Sequence, residues 1–96
     1  MEIIVGKNGT QKITITDPSV SRRHCKLTEQ PDGTFLLEDL NSTNGTFVNG
    51  AKVIRKIVSR DTSIKLGTFT VTVDTLVGPK PQDYTQDFIR LKAVYE

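Results

Sequence analysis

The runs Ser21-Arg22-Arg23-His24, Asn41-Ser42-Thr43-Asn44-Gly45-Thr46 and Asn49-Gly50 hold the residues of this chain best suited to chemistry. Serine and threonine hydroxyls, asparagine amides and arginine guanidinium groups all donate hydrogen bonds, and together they hold a phosphate without a metal. His24 invites a catalytic reading, which its surroundings oppose. It is the single histidine of the chain, and no G-x-S-x-G elbow accompanies it. One histidine beside one cysteine, with no C-x-x-C partner, supplies no metal-ligand set. The pattern is that of an anion-binding surface with no catalytic residues, no metal and no cofactor.

These polar runs need a frame, and the rest of the chain describes one. Ile13-Thr14-Ile15-Thr16, Cys25-Lys26-Leu27-Thr28 and Phe69-Thr70-Val71-Thr72-Val73 alternate with the period of two expected of strands. β-Branched residues dominate them, which suits a pleated, half-buried surface. Turn signals fall between: Asn8-Gly9, Asp17-Pro18, Asp32-Gly33, Asn49-Gly50 and Leu66-Gly67. Asn-Gly and Asp-Gly tolerate the positive φ of a primed turn, so Glu29 to Phe35 and Phe47 to Val53 read as tight hairpins. Short strands at this spacing predict an all-β two-sheet sandwich of roughly ten or eleven strands, running to about Val77.

Gly78-Pro79-Lys80-Pro81 then breaks the pattern, and 78–82 reads as a linker. Tyr84, Phe88, Leu91 and Tyr95 recur at helical spacing behind Asp83 as N-cap, predicting a short C-terminal helix over 83–96. It either packs on the sandwich or opens a following region of a larger polypeptide.

The 96 residues leave room for one domain. Cys25 is the only cysteine, reads as a small core residue, and gives no reason to invoke an oxidising compartment. No signal peptide and no membrane span are visible, so a cytoplasmic setting is expected. A formal net charge of +2 is too small to imply a nucleic-acid partner, and aromatics at 6% are too few to stack bases. Lys7, Arg22, Arg23 and Lys26 nevertheless lie near the polar runs, and Lys52, Arg55, Lys56, Arg60 and Lys65 follow them. This distribution favours an anionic partner.

Taken in order, Ser21-x-x-His24, then Asp39-Leu40-Asn41-Ser42-Thr43-Asn44-Gly45-Thr46-Phe47-Val48-Asn49-Gly50, and the late Ile64-Lys65-Leu66-Gly67 turn resemble the forkhead-associated (FHA) domain family. The resemblance runs from Gly6 to about Val73. It implies a two-sheet sandwich holding a phosphothreonine-containing protein or peptide at loops on one end. It also implies a phosphate-contacting Ser21, contacts from Thr43 and Asn44 in the second loop, and a His24 that braces the loops internally. Arg22 adds its backbone N–H, its guanidinium, or both. Gly6, Gly45, Asn49 and Gly50 are expected to shape the site. The family usually has Gly-Arg where this chain has Gly6-Lys7, so a flexible point charge replaces a planar fork. Basic side chains between Val53 and Arg60 are expected to favour an acidic residue downstream of the phosphothreonine. The competing reading is a phosphorylation-independent assembly domain of the same fold.

Overall fold

The computed structural model describes residues 1–79. Strands β1 (Glu2–Val5), β2 (Cys25–Glu29), β3 (Phe35–Asp39) and β6 (Arg55–Val58) form one antiparallel sheet in the order β1-β2-β3-β6. Strands β4 (Thr46–Val48), β5 (Ala51–Val53), β7 (Ser63–Leu66) and β8 (Phe69–Thr72) form a second, in the order β5-β4-β7-β8. A short helix, α1 (Val73–Val77), follows β8. No helix among the described residues is long and apolar enough to cross a membrane.

Alternation decides which side chains meet between the sheets. Val5, Leu27, Phe35 and Leu37 point inward from the first sheet, and Val48, Ile64, Leu66 and Val71 from the second; Leu76 joins them from α1. Burying a residue such as Leu27 removes its whole side chain from water, worth about 1.5–3 kcal/mol.

Register then decides where the loops emerge. In the first sheet Val5 pairs with Cys25 and Cys25 with Asp39; in the second Val53 pairs with Thr46, Thr46 with Leu66 and Leu66 with Phe69. These residues stand at one end of the sandwich. The segments after β1, before β2, between β3 and β4 and between β7 and β8 therefore all open there. At the other end Arg60 lies over the Phe35 ring, 5.7 Å from its centroid, and pairs with Asp74 and the Gly78 carbonyl. That arrangement closes α1 against the sheets.

The eight strands are fewer than the ten or eleven expected, for two identifiable reasons. Ile15 is buried and Thr14 and Thr16 are exposed, as the alternation requires, yet 13–16 joins no ladder. One-sided burial produces alternation whether or not an adjacent strand edge is available. Val73 continues the inward pattern of β8 but begins α1, where Thr72 caps the helix by accepting from Thr75 N at 3.3 Å. The Asn49-Gly50 hairpin has positive φ at both residues, 53° and 80°, as a primed turn demands. The Asp32-Gly33 hairpin differs: Gln30 N donates to Thr34 O at 2.8 Å across a three-residue loop, with positive φ at Gly33 alone. The helix expected over 83–96 lies outside the described residues.

Leu27 is fully buried in this core. Leu27→Ala should therefore cost about 2–5 kcal/mol through lost burial and the cavity left behind. Urea unfolding should show this as a lower midpoint at unchanged slope.

Candidate phosphate-binding site

Three loops meet at the open end of the sandwich through bonds that cross between them. The first carries Gly6 and Lys7. Lys7 N donates to Ser21 O at 3.1 Å and Asn8 N to Arg22 O at 3.0 Å. This pairing brings the backbones so close that a Cβ on Gly6 would overlap the Arg22 carbonyl. Glycine is required there. The Gln11 carboxamide holds Gly6 from behind, accepting from its N–H at 3.2 Å and donating to its carbonyl at 2.9 Å.

The second loop is the Asp17-Pro18-Ser19-Val20 turn and the residues after it. Asp17 Oδ1 accepts from Ser19 N at 2.8 Å and from Ser19 Oγ at 2.7 Å. The Ser19 hydroxyl and amide hold the Asp17 carboxyl below its ordinary pKa range. Ser19 Oγ in turn accepts from Thr68 N at 2.9 Å, tying this loop to the β7–β8 turn.

The third loop, between β3 and β4, is organised by Asp39. Its Oδ1 accepts from Ser42 Oγ at 2.6 Å and Thr46 Oγ1 at 2.7 Å, and its Oδ2 from Ser42 N at 3.1 Å. Ser42 Oγ accepts from Gly45 N at 3.0 Å. Partial burial works to raise the Asp39 pKa, but the Ser42 and Thr46 hydroxyls and the Ser42 amide outweigh it and hold it low.

His24, with no exposed surface, locks the loops together. Its Nδ1 accepts from Ser21 N at 3.0 Å, so the ring proton sits on Nε2, which donates to Gly45 O at 2.8 Å. Gly45 O also accepts from Gly67 N at 3.0 Å. Thr43 N donates to Ser21 Oγ at 3.0 Å, and Asn44 Nδ2 donates to Ser19 O at 2.8 Å. The bond from Thr43 occupies a lone pair on Ser21 and leaves its hydroxyl proton available.

The result is a surface pocket of about 380 Å³ lined by Lys7, Ser21, Arg22, Thr43 and Asn44, together with Pro18, Ser19 and Val20. All five residues expected to contact the ligand converge on it. Gly6, His24 and Gly45 stand behind them. Asn49 and Gly50 do not shape this pocket: they turn the β4–β5 hairpin at its far end and line a separate surface hollow with Phe47 and Lys65. Their repeated Asn-Gly motif reports a hairpin, and three residues of β4 carry it away from Gly45. Asp39, Ser42, Ser19 and Gln11 carry supporting roles that the sequence reading missed. A carboxylate followed by hydroxyls three and seven positions later was the available signal for Asp39; Gln11 had none.

Lys26, Arg55 and Arg60 each have a carboxylate within 4.0 Å. Among the described residues, Lys7, Arg22 and Arg23 have none, and neither do Lys12, Lys52, Lys56 and Lys65. The basic stretch from Val53 to Arg60 is accordingly divided. Arg60 belongs to the α1 closure at the opposite end, and Arg55 faces Glu38.

Loops crossing at a Ser-Arg-x-His segment and an Asn-Gly-Thr segment form a cationic, hydroxyl-lined pocket at the end of a two-sheet frame, and comparison with known proteins shows the family. The FHA domain model matches residues 3–67, and the chain belongs to the FHA domain family. The glycogen accumulation regulator GarA of Mycolicibacterium smegmatis is 32% identical over 78 residues, which cover 81% of this chain and 48% of GarA. The oxoglutarate dehydrogenase inhibitor of Corynebacterium diphtheriae is 32% identical over 75 residues, 78% of this chain and 50% of that protein. The chain thus spans about half the length of these two curated relatives. Among solved structures, the FhaA FHA domain complexed with the intracellular domain of Rv3910 superposes with a TM-score of 0.65 at 35% identity, covering 74% of this chain and 77% of that one. A structure concerned with phosphothreonine-dependent FHA domain interactions has the same TM-score and identity, covering 74% and 73%.

Asp39 contributes stability through a lowered pKa. That contribution is complete above the unfolded carboxylate value of about 3.9 and is lost as pH falls through the lower folded value. Asp39→Asn should therefore lower the melting temperature most above about pH 5, and the gap from the parent should close in acid. Thermal melts from neutral pH into acid test this; a gap independent of pH would contradict it. His24→Ala should also lower the melting temperature, by removing both ring bonds from a buried site.

Proposed function

We propose that this domain recognises phosphothreonine-containing protein segments, with Lys7, Ser21, Arg22, Thr43 and Asn44 as its contacts and without chemistry of its own. The observation that carries the reading is the Thr43 N to Ser21 Oγ bond, which joins two loops at a basic pocket and leaves the Ser21 hydroxyl proton free to donate there. A phosphothreonine brings close to two negative charges and three acceptor oxygens. The Ser21 hydroxyl, the Thr43 hydroxyl and the Lys7 and Arg22 cations meet them with charge-assisted bonds of about 1.5–3 kcal/mol each. Two or three such bonds supply about 3–9 kcal/mol, so contacts along the rest of the peptide must help to offset the association cost of a micromolar complex. Asn44 has Oδ1 left for a donor on an extended ligand backbone, since Nδ2 is committed to Ser19 O.

His24 supports the absence of catalysis. Its Nδ1 takes the Ser21 backbone amide rather than Ser21 Oγ, and Nε2 is engaged with Gly45 O, so neither nitrogen is positioned to activate the hydroxyl. The solved FHA structure concerned with phosphothreonine-dependent interactions supports the ligand class by similarity. On this reading the recognition module is residues 1–77, acting in a cytoplasmic protein that regulates or assembles through its phosphorylated partner.

Titration of a phosphothreonine peptide against its unphosphorylated twin tests the proposal directly. Equal affinities would sink it and leave a phosphate-independent assembly domain. Ser21→Ala should weaken phosphopeptide binding by about 1.5–3 kcal/mol while leaving the fold intact. Lys7→Ala should weaken it less, with an effect that shrinks as salt is raised, because the exposed lysine acts as a point charge. Lys7→Arg should strengthen it.

A further inference from the structure

Strand β6 is the part of the surface that the pocket leaves unexplained. Among the described residues it lies at the edge of its sheet and pairs with β3 alone. The register of that pairing fixes which backbone groups are used. Leu36 faces Ile57 and Glu38 faces Arg55, and beyond the last pair Asp39 N donates to Ile54 O at 2.9 Å. In an antiparallel ladder, pairs that exchange bonds alternate with pairs that do not. Asp39 with Ile54, and hence Leu37 with Lys56, are the bonded pairs. Arg55 and Ile57 fall between them, so their N–H and C=O groups point away from β3 to the open edge.

The side chains on this edge are equally unusual. Ile54 is 78% exposed and Ile57 is 53% exposed; with Met1 they are the exposed large apolar residues of the described chain. Ile57 shares the outer face of the sheet with the half-buried Leu36 across from it. Arg55 and Lys56 are exposed beside them, and among the described residues the one carboxylate paired with Arg55, that of Glu38, sits at 4.0 Å, a loose pair easily exchanged. The edge is also continuous with the pocket. Ile54 O is bonded to Asp39 N, and the Asp39 carboxylate holds Ser42, the neighbour of Thr43.

The geometry points to β6 as a second contact for the phosphothreonine ligand: an extended arm of that ligand adds as a strand to Arg55 and Ile57, with acidic residues meeting Arg55 and Lys56 and apolar residues covering Ile57 and Leu36. This rests on the phosphothreonine reading of the pocket and names the wider ligand that the pocket belongs to. Edge strands are ordinarily guarded by cationic side chains against indiscriminate pairing. Here the same cations make the edge selective, admitting an acidic arm and repelling a second copy, whose own Arg55 and Lys56 would be brought against them. Main-chain bonds supply affinity in such strand addition, and alternate side chains supply specificity.

The test uses the whole chain and a phosphothreonine peptide library with about six randomised positions on each side, an arm of about 20 Å at ~3.3 Å per residue. Selection of two adjacent acidic residues followed or preceded by an apolar one along one arm is expected, matching the order Arg55, Lys56, Ile57. The selected peptide should bind about tenfold tighter than the same phosphothreonine core with a Gly/Ser arm. Ile57→Pro removes an outward N–H that the β3 ladder does not use, which an edge strand tolerates. It should abolish the tenfold gain and leave binding of the Gly/Ser-armed peptide unchanged.

Amide exchange gives a readout independent of affinity. The Arg55 and Ile57 amides should exchange freely in the unliganded chain and become protected only with the selected arm. Equal affinity of the two peptides, or unprotected amides in the complex, overturns the inference while leaving the pocket intact. Protection of these amides before any peptide is added also overturns it, because residues 80–96 or a second copy would then hold the edge. Loss of phosphate dependence in both peptides strikes instead at the phosphothreonine reading itself.

Discussion

The His24 imidazole is the constraint on which the rest of this end of the molecule depends. A neutral ring has one donor and one acceptor, and here each has a single fixed use: Nδ1 takes the Ser21 amide and Nε2–H goes to the Gly45 carbonyl. Two loops that are 21 residues apart in sequence thereby share one rigid plate. Gly45 O also receives Gly67 N, so the β7–β8 turn is drawn into the same arrangement. Burial makes the ring's bonds obligatory, because an unmet polar group in a site without water costs more than a met one contributes. Precise loop placement follows from that asymmetry.

Around this plate, polar groups divide into those spent on the fold and those left over for a ligand. The Ser21, Thr43, Lys7 and Asn8 amides all bind within the protein. Asp39 gathers two hydroxyls and an amide, and among the described residues no buried side-chain polar atom lacks a partner. What remains is a set of side-chain groups that face outward: the Ser21 proton, the Thr43 hydroxyl, the Asn44 carbonyl oxygen and the Lys7 and Arg22 cations. A site made of such residues needs no closing movement to assemble. Loops carried by rigid sheets are well suited to holding it.

Similarity to GarA, to the oxoglutarate dehydrogenase inhibitor and to FhaA places this chain among proteins that share its frame, over roughly half of the two shorter relatives. The frame is common property. Lys7 has its backbone paired to Ser21. The position of the loop is thus set by backbone bonds and does not depend on the head group that residue 7 offers. Ile54 and Ile57 lie on the exterior of β6, and the inward side of the sheet belongs to Phe35 and Leu37.

Residue types and order in the sequence determined much of this protein. Alternation identified β2 and β8, Asn49-Gly50 identified a primed hairpin, and the Ser21 and Asn44 segments identified the pocket's lining. These features are local: a strand's two faces, a turn's φ angles and a side chain's donors are all properties of a few consecutive residues. Tertiary structure alone decided which alternating segment found a partner, and so 13–16 remained outside the sheets. It also placed Asn49-Gly50 at the wrong end to shape the pocket, and assigned Arg60 to closing α1. Asp39, Gln11 and Ser19 became supports only once register had brought distant backbone to them. Pairing register is set by the packing of both sheets together, and no short stretch of sequence contains that information.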